Sequence, residues 1–294
     1  MKLQVVRANG INFTCYVHGH GPKLLLMLHG FPDDAATMLR LMDSLPTEQF
    51  TMVAPHMRGL GPSSKAPDRR YLYALLGEDV LGLIDAFGAE TAHLYGHDFG
   101  ALACYAAAQL GPDRIEHLIT ASVPPPRTFL HNLPKQPRQF ARSWHIFMMQ
   151  IPWLGKALLG AQDDALVSLL WRLWSPGWRW QRDRLAKVKN SLNRKGARGT
   201  VVRYYRALLL DALLDPRAWQ QSFKLSMELI RVPSTVIYGD RDGCVGKGMF
   251  KKLHRSFALM TPVRPVLLKG CGHFPHLECL EQVKDVILEG PPEA

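Results

Sequence analysis

Hydrophobic and polar residues alternate at the start of the chain and then give way to an unbroken apolar run. Residues 2–6 and 11–17 alternate with a period of two on either side of Asn9-Gly10, which predicts an antiparallel hairpin with a tight turn. Residues 24–28 are all apolar, as in a strand that is covered on both faces. The chain therefore opens with the edge and then the interior of a sheet.

Strands and helices then alternate. Helical spacing alternating with short β-type runs indicates a mostly parallel sheet, to which the opening hairpin adds an antiparallel edge. We therefore predict an α/β fold. The predicted elements are helices over 37–45, 71–87, 101–110 and 277–288 and strands over 50–54, 91–95, 115–121, 234–238 and 263–268.

The middle of the chain has a different composition. After Pro124-Pro125-Pro126 the pattern is helical without strands, and residues 127–231 carry 19 Lys/Arg, 6 Asp/Glu and all seven tryptophans. That region has a net charge of +13, against +11 for the whole chain. Two compositions in one chain imply two structural units. We predict a core over 1–126 and 232–294 with a helical lid inserted at 127–231.

Composition excludes several classes of protein. With 294 residues, 47% hydrophobic and 21% charged, the chain is neither disordered nor fibrous. It lacks the ~20-residue apolar stretch of a membrane span and the apolar core of a signal peptide. Five cysteines without Cys-x-x-Cys spacing indicate a reducing compartment rather than disulfides. We expect a cytoplasmic protein without metal or cofactor.

The strongest chemical signal is Gly96-His97-Asp98-Phe99-Gly100, between a predicted strand and an Ala-rich helix. Two glycines flanking a strand-to-helix turn are typical of a nucleophile elbow, which projects the middle side chain above the sheet. That residue is Asp98, whose carboxylate can attack carbon directly; the ester that forms then needs a base for its hydrolysis. Alternatively, Asp98 only caps the helix.

A second motif, His29-Gly30-Phe31-Pro32, follows the buried apolar strand. An oxyanion hole of this type combines the amide after the nucleophile with one from the loop after the third strand. Those amides belong to Phe99 and Phe31.

A third motif, Gly272-His273-Phe274, follows the last predicted strand, and acidic residues at 240 and 242 follow the strand before it. The order Asp98, Asp242, His273 matches nucleophile, acid and base. His273 would activate the water that attacks the ester. Asp242 is the preferred acid, with Asp240 as the alternative and as a turn former.

Taken together, these motifs resemble those of the α/β-hydrolase superfamily and, within it, the epoxide hydrolases, whose Asp-nucleophile branch includes the haloalkane dehalogenases. The resemblance implies that the protein converts an epoxide into a vicinal diol through an alkyl-enzyme ester on Asp98, without a cofactor. The matching segments are H-G-F-P at 29–32, R-G-L-G-P-S at 58–63, G-H-D-F-G at 96–100, G-D-R-D at 239–242 and G-H-F at 272–274.

The middle region resembles the lid of that family, in which two tyrosines donate hydrogen bonds to the epoxide oxygen. Ser143–Phe147 with the Gln150-Ile151-Pro152-Trp153 segment, and Tyr204-Tyr205-Arg206-Ala207, are similar to its two lid motifs. The resemblance places Tyr205 at one donor position and His145 at the other. A histidine with a pKa near 6.5 would be a stronger acid than a phenol. Alternatively, Tyr204 faces the substrate.

Two differences from related families narrow the range of activities that the motifs allow. Phe99 stands where haloalkane dehalogenases have a tryptophan that holds the halide, and a phenylalanine cannot donate that bond. The arginine expected in fluoroacetate dehalogenases is also missing. An ester hydrolase is disfavoured, because an Asp nucleophile would form an anhydride from an ester. A dehalogenase, or a non-catalytic protein that binds a ligand or a membrane, remains the alternative.

The run of tryptophan and arginine over residues 171–182 could contact a membrane surface or nucleic acid. Pro176-Gly177 interrupts any long amphipathic helix there, so we expect the tryptophans to pack lid helices and line an apolar pocket. The expected partner is a small, largely apolar epoxide rather than nucleic acid, bound by a monomer or homodimer.

Overall fold

The computed structural model describes residues 1–151, 153–161, 165–180 and 182–293. Within them, eight strands form one sheet in the order β1-β2-β4-β3-β5-β6-β7-β8. The pairs β1/β2 and β2/β4 are antiparallel and all other neighbours are parallel. The predicted α/β fold with an antiparallel N-terminal edge is confirmed. The strands are Lys2–Ala8 (β1), Ile11–His18 (β2), Lys23–Leu28 (β3), Phe50–Pro55 (β4), Ala92–His97 (β5), Ile115–Ala121 (β6), Ser234–Gly239 (β7) and Val263–Leu268 (β8).

Fourteen α-helices lie in the same described residues, nine of them between β6 and β7. The helices are Leu39–Ser44 (α1), Tyr73–Ala86 (α2), Phe99–Leu110 (α3), Pro126–Asn132 (α4), Pro137–Arg142 (α5), Trp144–Gln150 (α6), Leu154–Gly160 (α7), Ala165–Trp174 (α8), Arg182–Leu192 (α9), Ala197–Leu208 (α10), Asp211–Leu214 (α11), Pro216–Ser226 (α12), Pro275–Glu278 (α13) and Leu280–Glu289 (α14).

The turn between β1 and β2 has the conformation that its sequence requires. Asn9 and Gly10 have φ values of +48° and +73°, the positive values that a two-residue hairpin turn needs at both positions.

Alternate residues of β3 belong to two separate hydrophobic cores. Leu24, Leu26 and Leu28 pack with residues of α2 and α3 on one face of the sheet. Leu25 and Met27 pack with residues of α1 and α14 on the other. Because neighbouring side chains of a strand point to opposite faces, an apolar strand without alternation serves both cores at once.

Two predicted helices are divided. The first turn of the helix predicted over 37–45 is a 3₁₀ helix, Ala35–Met38, which precedes α1. The last predicted helix is divided at Cys279, whose φ of −129° and ψ of +46° lie outside the helical range. The carboxylate of Glu278 accepts hydrogen bonds from the amides of Gly272 and Phe274, so the chain before the break is tied to the preceding loop.

Residues 126–226, here called the inserted segment, contain α4 to α12. Pro152, Gln181 and residues 162–164, which include parts of the predicted lid motifs, lie outside the described residues. Trp171 and Trp174 are fully buried, and the ring of Trp178 stacks on that of Trp171 at 5.2 Å. Trp153, in contrast, is 71% exposed. Over the described ranges, no helix is both long and apolar enough to traverse a bilayer.

Candidate active site

Asp98 lies at a strained turn where β5 ends and α3 begins. Its φ is +52° and its ψ −115°, a conformation that L-residues rarely adopt outside functional sites. The flanking glycines permit close contacts: a Cβ on Gly100 would lie 2.2 Å from the carbonyl oxygen of Leu28, and one on Gly96 would lie 2.5 Å from that of Gly100. The turn therefore has the geometry of a nucleophile elbow.

The carboxylate of Asp98 points away from its helix and makes no capping hydrogen bond. Oδ1 accepts a 3.0 Å hydrogen bond from the Phe31 amide, and Oδ2 lies 3.6 Å from Nε2 of His273. Burial alone would raise the pKa of Asp98, but hydrogen bonding and charge from His273, with help from His97 and the Phe31 amide, lower it. The resting enzyme thus holds a carboxylate anion, the form that can act as a nucleophile.

The two amides predicted for the oxyanion hole belong to the loop after β3 and to the first turn of α3. The Phe31 amide already points at Oδ1. Phe99 is the first residue of α3, and the first amides of a helix have no acceptor within it. The adjacent Pro32 carbonyl accepts a 2.7 Å hydrogen bond from the indole N–H of Trp171, on α8. The inserted segment is thereby connected to the Phe31 loop.

The structure brings His273 and Asp242 together. Nδ1 of His273 lies 2.9 Å from Oδ2 of Asp242, and Oδ1 of Asp242 accepts hydrogen bonds from the amides of Cys244 and Val245 at 2.7 and 2.9 Å. Burial alone would lower the pKa of His273, but the neighbouring charges of Asp242 and Asp98 raise it to about 10. In the resting state His273 is therefore an imidazolium between two carboxylates.

Asp240, the alternative acid, makes a different contact. It is solvent exposed, and its Oδ1 accepts a 2.7 Å hydrogen bond from the amide of Gly270. Asp240 thus joins the two loops that follow β7 and β8, whereas Asp242 forms the contact with His273.

No sequence motif marks the residues that hold the backbone of His273. The Ser175 hydroxyl accepts from the His273 amide at 2.9 Å and donates to Glu278 at 2.6 Å. The Ser122 hydroxyl donates to the carbonyl of His273 at 2.7 Å. Both serines are isolated in sequence from any motif, so only three-dimensional structure identifies them.

The two candidate lid tyrosines have different surroundings. The Tyr204 hydroxyl donates to the backbone carbonyl of Arg58 at 3.1 Å. The ring of Tyr205 lies 5.0 Å from that of Phe99 and 5.7 Å from that of Phe31, next to the predicted nucleophile. Burial raises the pKa of Tyr205 well above its usual value, and the charge of Asp98 raises it further. Tyr205 is thus a protonated phenol near the carboxylate.

His145 lies beside Tyr205, with ring centroids 5.6 Å apart. Its Nδ1 is 3.2 Å from the carbonyl of Arg142 and its ring is 4.8 Å from that of Trp174. Burial lowers the pKa of His145 to about 4, so the expectation of an acid near 6.5 is wrong. A neutral ring that donates from Nδ1 to a carbonyl carries a lone pair on Nε2.

The R-G-L-G-P-S loop contributes structural contacts. The guanidinium of Arg58 binds both carboxylate oxygens of Asp79, at 2.5 and 2.7 Å. The Ser63 hydroxyl donates to the carbonyl of His56 at 2.6 Å. These contacts fix the loop whose Arg58 carbonyl receives the Tyr204 hydroxyl.

A cavity of about 10 Å³ lies beside the oxyanion loop, which is room for about one water molecule. Residues of the core and of the inserted segment line this cavity with apolar atoms. An organic molecule can therefore occupy this cavity only if neighbouring side chains or helices move. The lining residues are Gly30, Phe31, Met57, Leu60, Phe99, Val201 and Tyr204.

Comparison with known proteins agrees with the fold and the motifs. The model of a family described as alpha/beta hydrolase fold matches residues 23–279. AB hydrolase superfamily protein YfhM of Bacillus subtilis is 27% identical over 259 residues, which are 87% of this chain and 86% of that protein. Epoxide hydrolase A of Mycobacterium tuberculosis is 27% identical, over 97% of this chain and 96% of that protein.

Solved structures give the same result. The crystal structure of Epoxide Hydrolase A from Mycobacterium thermoresistibile has a TM-score of 0.81 and 25% identity, and the match covers 98% of this chain and 97% of that one. The resemblance predicted from the motifs is confirmed: the chain belongs to the α/β-hydrolase fold family, and its relatives include epoxide hydrolases.

Proposed function

We propose that the protein is an epoxide hydrolase that converts an epoxide into a vicinal diol. The observation that carries this proposal is the position of the Asp98 carboxylate, between the Phe31 amide and the imidazole of His273. An ionised Asp nucleophile with a neighbouring base suits displacement at carbon followed by ester hydrolysis. The epoxide hydrolases among the relatives support the choice of substrate class.

In the first step, Oδ2 of Asp98 forms a bond to one epoxide carbon while the bond from that carbon to the ring oxygen breaks. The ring oxygen takes the phenolic proton of Tyr205. Because burial makes tyrosinate a strong base, Tyr205 regains a proton from the His273 imidazolium. The products are a neutral alkyl ester on Asp98 and a neutral His273.

Formation of the ester prepares His273 for the second step. Part of the rise in the pKa of His273 comes from the charge of Asp98, and the ester carries no charge. The pKa of His273 therefore falls on alkylation, while Asp242 still holds Nδ1. The imidazole becomes a base at the stage when a base is needed.

In the second step, water loses a proton to Nε2 of His273 and its oxygen attacks the carbonyl carbon of the Asp98 ester. The amides of Phe31 and Phe99 stabilise the negative oxygen of the tetrahedral intermediate. The bond from that carbon to Oδ2 breaks, and the departing alkoxide takes the proton from His273. The diol leaves with one oxygen from Asp98. The carboxylic acid that remains on Asp98 carries an oxygen from water, and it passes its proton to His273, which restores the carboxylate and the imidazolium.

The inserted segment serves as the lid in this proposal, with the predicted bounds 127–231. It supplies Tyr205 to the ring-opening step and places His145 beside Tyr205, where the ring is a second donor only when it is protonated. Val201 and Tyr204, which it contributes to the lining of the cavity, favour a largely apolar substrate.

A panel of aryl, alkyl and fatty-acid epoxides, assayed for diol, tests the proposal. The matched control is Asp98→Asn, which keeps the size of the side chain and removes its charge. Diol from the wild type and none from the variant is expected. Halide release from haloalkanes without diol would instead identify a dehalogenase. Neither product from the folded protein would favour a ligand- or membrane-binding protein.

A further inference from the structure

Three buried side chains lie next to the loop of His273 and take no part in the proposed reaction. Asp33 follows β3, His97 ends β5 and His276 lies on α13. None is more than 4% exposed, and one polar atom from each lies within 4.8 Å of the others. A cluster of ionisable groups buried this deeply requires compensating interactions.

Both ring nitrogens of His97 face oxygen atoms. Nε2 lies 2.8 Å from the backbone carbonyl of His273, and a carbonyl oxygen can only accept. Nδ1 lies 3.3 Å from Oδ2 of Asp33. The pKa of Asp33 is held well below its usual range because the neighbouring histidines outweigh its burial, so Asp33 is ionised. Of the two nitrogens, Nε2 makes the hydrogen bond, and the contact of Nδ1 with Asp33 does not meet hydrogen-bond geometry.

His276 completes the surroundings of Asp33 as a neutral ring. Its Nε2 lies 3.2 Å from Oδ2 of Asp33 and 3.3 Å from the Thr37 hydroxyl. That hydroxyl already donates to the carbonyl of Asp34 at 2.7 Å, so it accepts from His276. Burial lowers the pKa of His276 to about 4, so this ring is neutral near pH 7. Arg184, on α9, adds a further positive charge near Asp33 and His276.

We propose that His97 is a positioning residue, which fixes the loop of His273 through a hydrogen bond from Nε2 to the backbone carbonyl of His273. The carbonyl receives two donors, His97 and Ser122. These two hydrogen bonds fix the position of the His273 imidazole relative to the Asp98 ester. The inference rests on the proposed function, because His273 acts in ester hydrolysis. A displacement of about 1 Å at a reacting group costs on the order of 100-fold in rate.

Nitrogen-15 NMR of histidine-labelled protein tests the protonation of His97 without any substrate. The His97 signals are assigned by their loss in His97→Gln. At pH 7 we expect a proton on Nε2, which a donor to the His273 carbonyl requires, whereas a bare Nε2 would overturn the proposal. Elemental analysis of the purified protein is the second check: one equivalent of zinc would overturn it, because the three groups would then be metal ligands.

Two variants of His97 separate its two contacts. In side-chain length, the Gln amide corresponds to Nε2 of histidine and the Asn amide to Nδ1. His97→Gln keeps a donor for the His273 carbonyl, and His97→Asn loses it. We expect His97→Asn to lower kcat by about 100-fold with accumulated Asp98 ester, and His97→Gln to lower it by less than about 10-fold.

The ratio kcat/KM distinguishes positioning from loss of structure. If only ester hydrolysis is slowed, kcat and KM fall together and kcat/KM stays close to the wild-type value. A fall of kcat and kcat/KM in parallel, without ester, would overturn the proposal. His93→Gln, at another buried histidine of β5 that pairs with Glu116, is the matched control and should leave the kinetics unchanged. If the wild type forms no diol, the proposed function is wrong and the NMR result alone decides the state of His97.

Discussion

Nε2 of His273 lies 3.6 Å from Oδ2 of Asp98, too far for a strong hydrogen bond and close enough for an ion pair. The second nitrogen of the same ring is held at 2.9 Å by Asp242. The arrangement orients the imidazole without locking it onto the nucleophile. The Asp98 oxygen therefore remains available for attack at carbon.

Replacing His273 by Gln should stop the reaction at the ester. The variant keeps the nucleophile and loses the base, so an epoxide substrate should add its full mass to the protein. Intact-mass spectrometry with peptide mapping should locate the adduct on Asp98. The double variant with Asp98→Ala should gain no mass; an adduct on that protein would contradict the assigned nucleophile.

A single turnover in ¹⁸O-water should place the label in the protein. Water attacks the carbonyl carbon of the ester, so the new oxygen enters the Asp98 carboxylate and the diol carries none. Mass spectrometry of the peptide that contains Asp98 and of the product measures both. Label in the first-formed diol would show direct attack of water on the epoxide instead.

Tyr205→Phe should lower kcat/KM for epoxide opening by about 100-fold, a typical loss for a general acid. Tyr204→Phe is the matched control on the adjacent residue. Because the Tyr204 hydroxyl is bound to the Arg58 carbonyl, its loss should reduce stability more than rate. Steady-state kinetics and urea unfolding of both variants test this. Equal loss of kcat/KM in the two variants would refute the distinction.

His145→Tyr should show whether His145 donates as an imidazolium. Its pKa is lowered to about 4 by burial, so the imidazolium fraction grows about tenfold for each unit of pH lost above that value. The ratio of wild-type to His145→Tyr kcat/KM should therefore rise as the pH falls from about 7 to 5. Titration of the remaining groups cancels in this ratio. A ratio independent of pH would exclude the ionised donor.

Stability should be greatest near neutral pH. Burial lowers the pKa to about 3 in His56 and His117, and to about 4 in His145 and His276. The unfolded chain binds these protons near pH 6.5, so the free energy of unfolding should fall as the pH drops from about 6.5 to 4, by up to ~1.4 kcal/mol per unit for each group.

His273 has the opposite effect. Its pKa is raised to about 10, so its contribution is complete below about pH 6.5 and is lost as the pH rises towards 10. Urea unfolding across this range measures both limbs. An unfolding free energy that is constant from about pH 4.5 to 6.5 would contradict the neutral state of the buried histidines.

The elements that the sequence predicts well are those with strong local signals. The all-apolar run of β3 and the Asn9-Gly10 turn identify the sheet and its edge, and the elbow motif points to Asp98. The flanking glycines specify the elbow. The Asp242–His273 contact is expected because the two residues follow the neighbouring strands β7 and β8. The lid roles of Tyr205 and His145 come from family resemblance and stay predictions.

Long-range contacts between buried polar groups could not be read from the sequence. Asp33 follows H-G-F-P as an ordinary turn residue, and nothing in the chain pairs it with His97 or with His276. Ser175 lies in the tryptophan-rich stretch, where the aromatic residues dominate the pattern. The lowered pKa of His145 depends on burial by Trp174 and other neighbours, which composition does not reveal.

The indole of Trp171 has a consequence for the order of events. Its hydrogen bond to the Pro32 carbonyl connects α8 to the loop that carries the Phe31 amide. A substrate that displaces α8 on entry would also displace the Phe31 amide. That amide would be in place to stabilise the oxyanion only after α8 has returned. The site would then be either open to solvent or able to stabilise the oxyanion, but not both at once. The ester would thus be shielded from bulk water while it reacts.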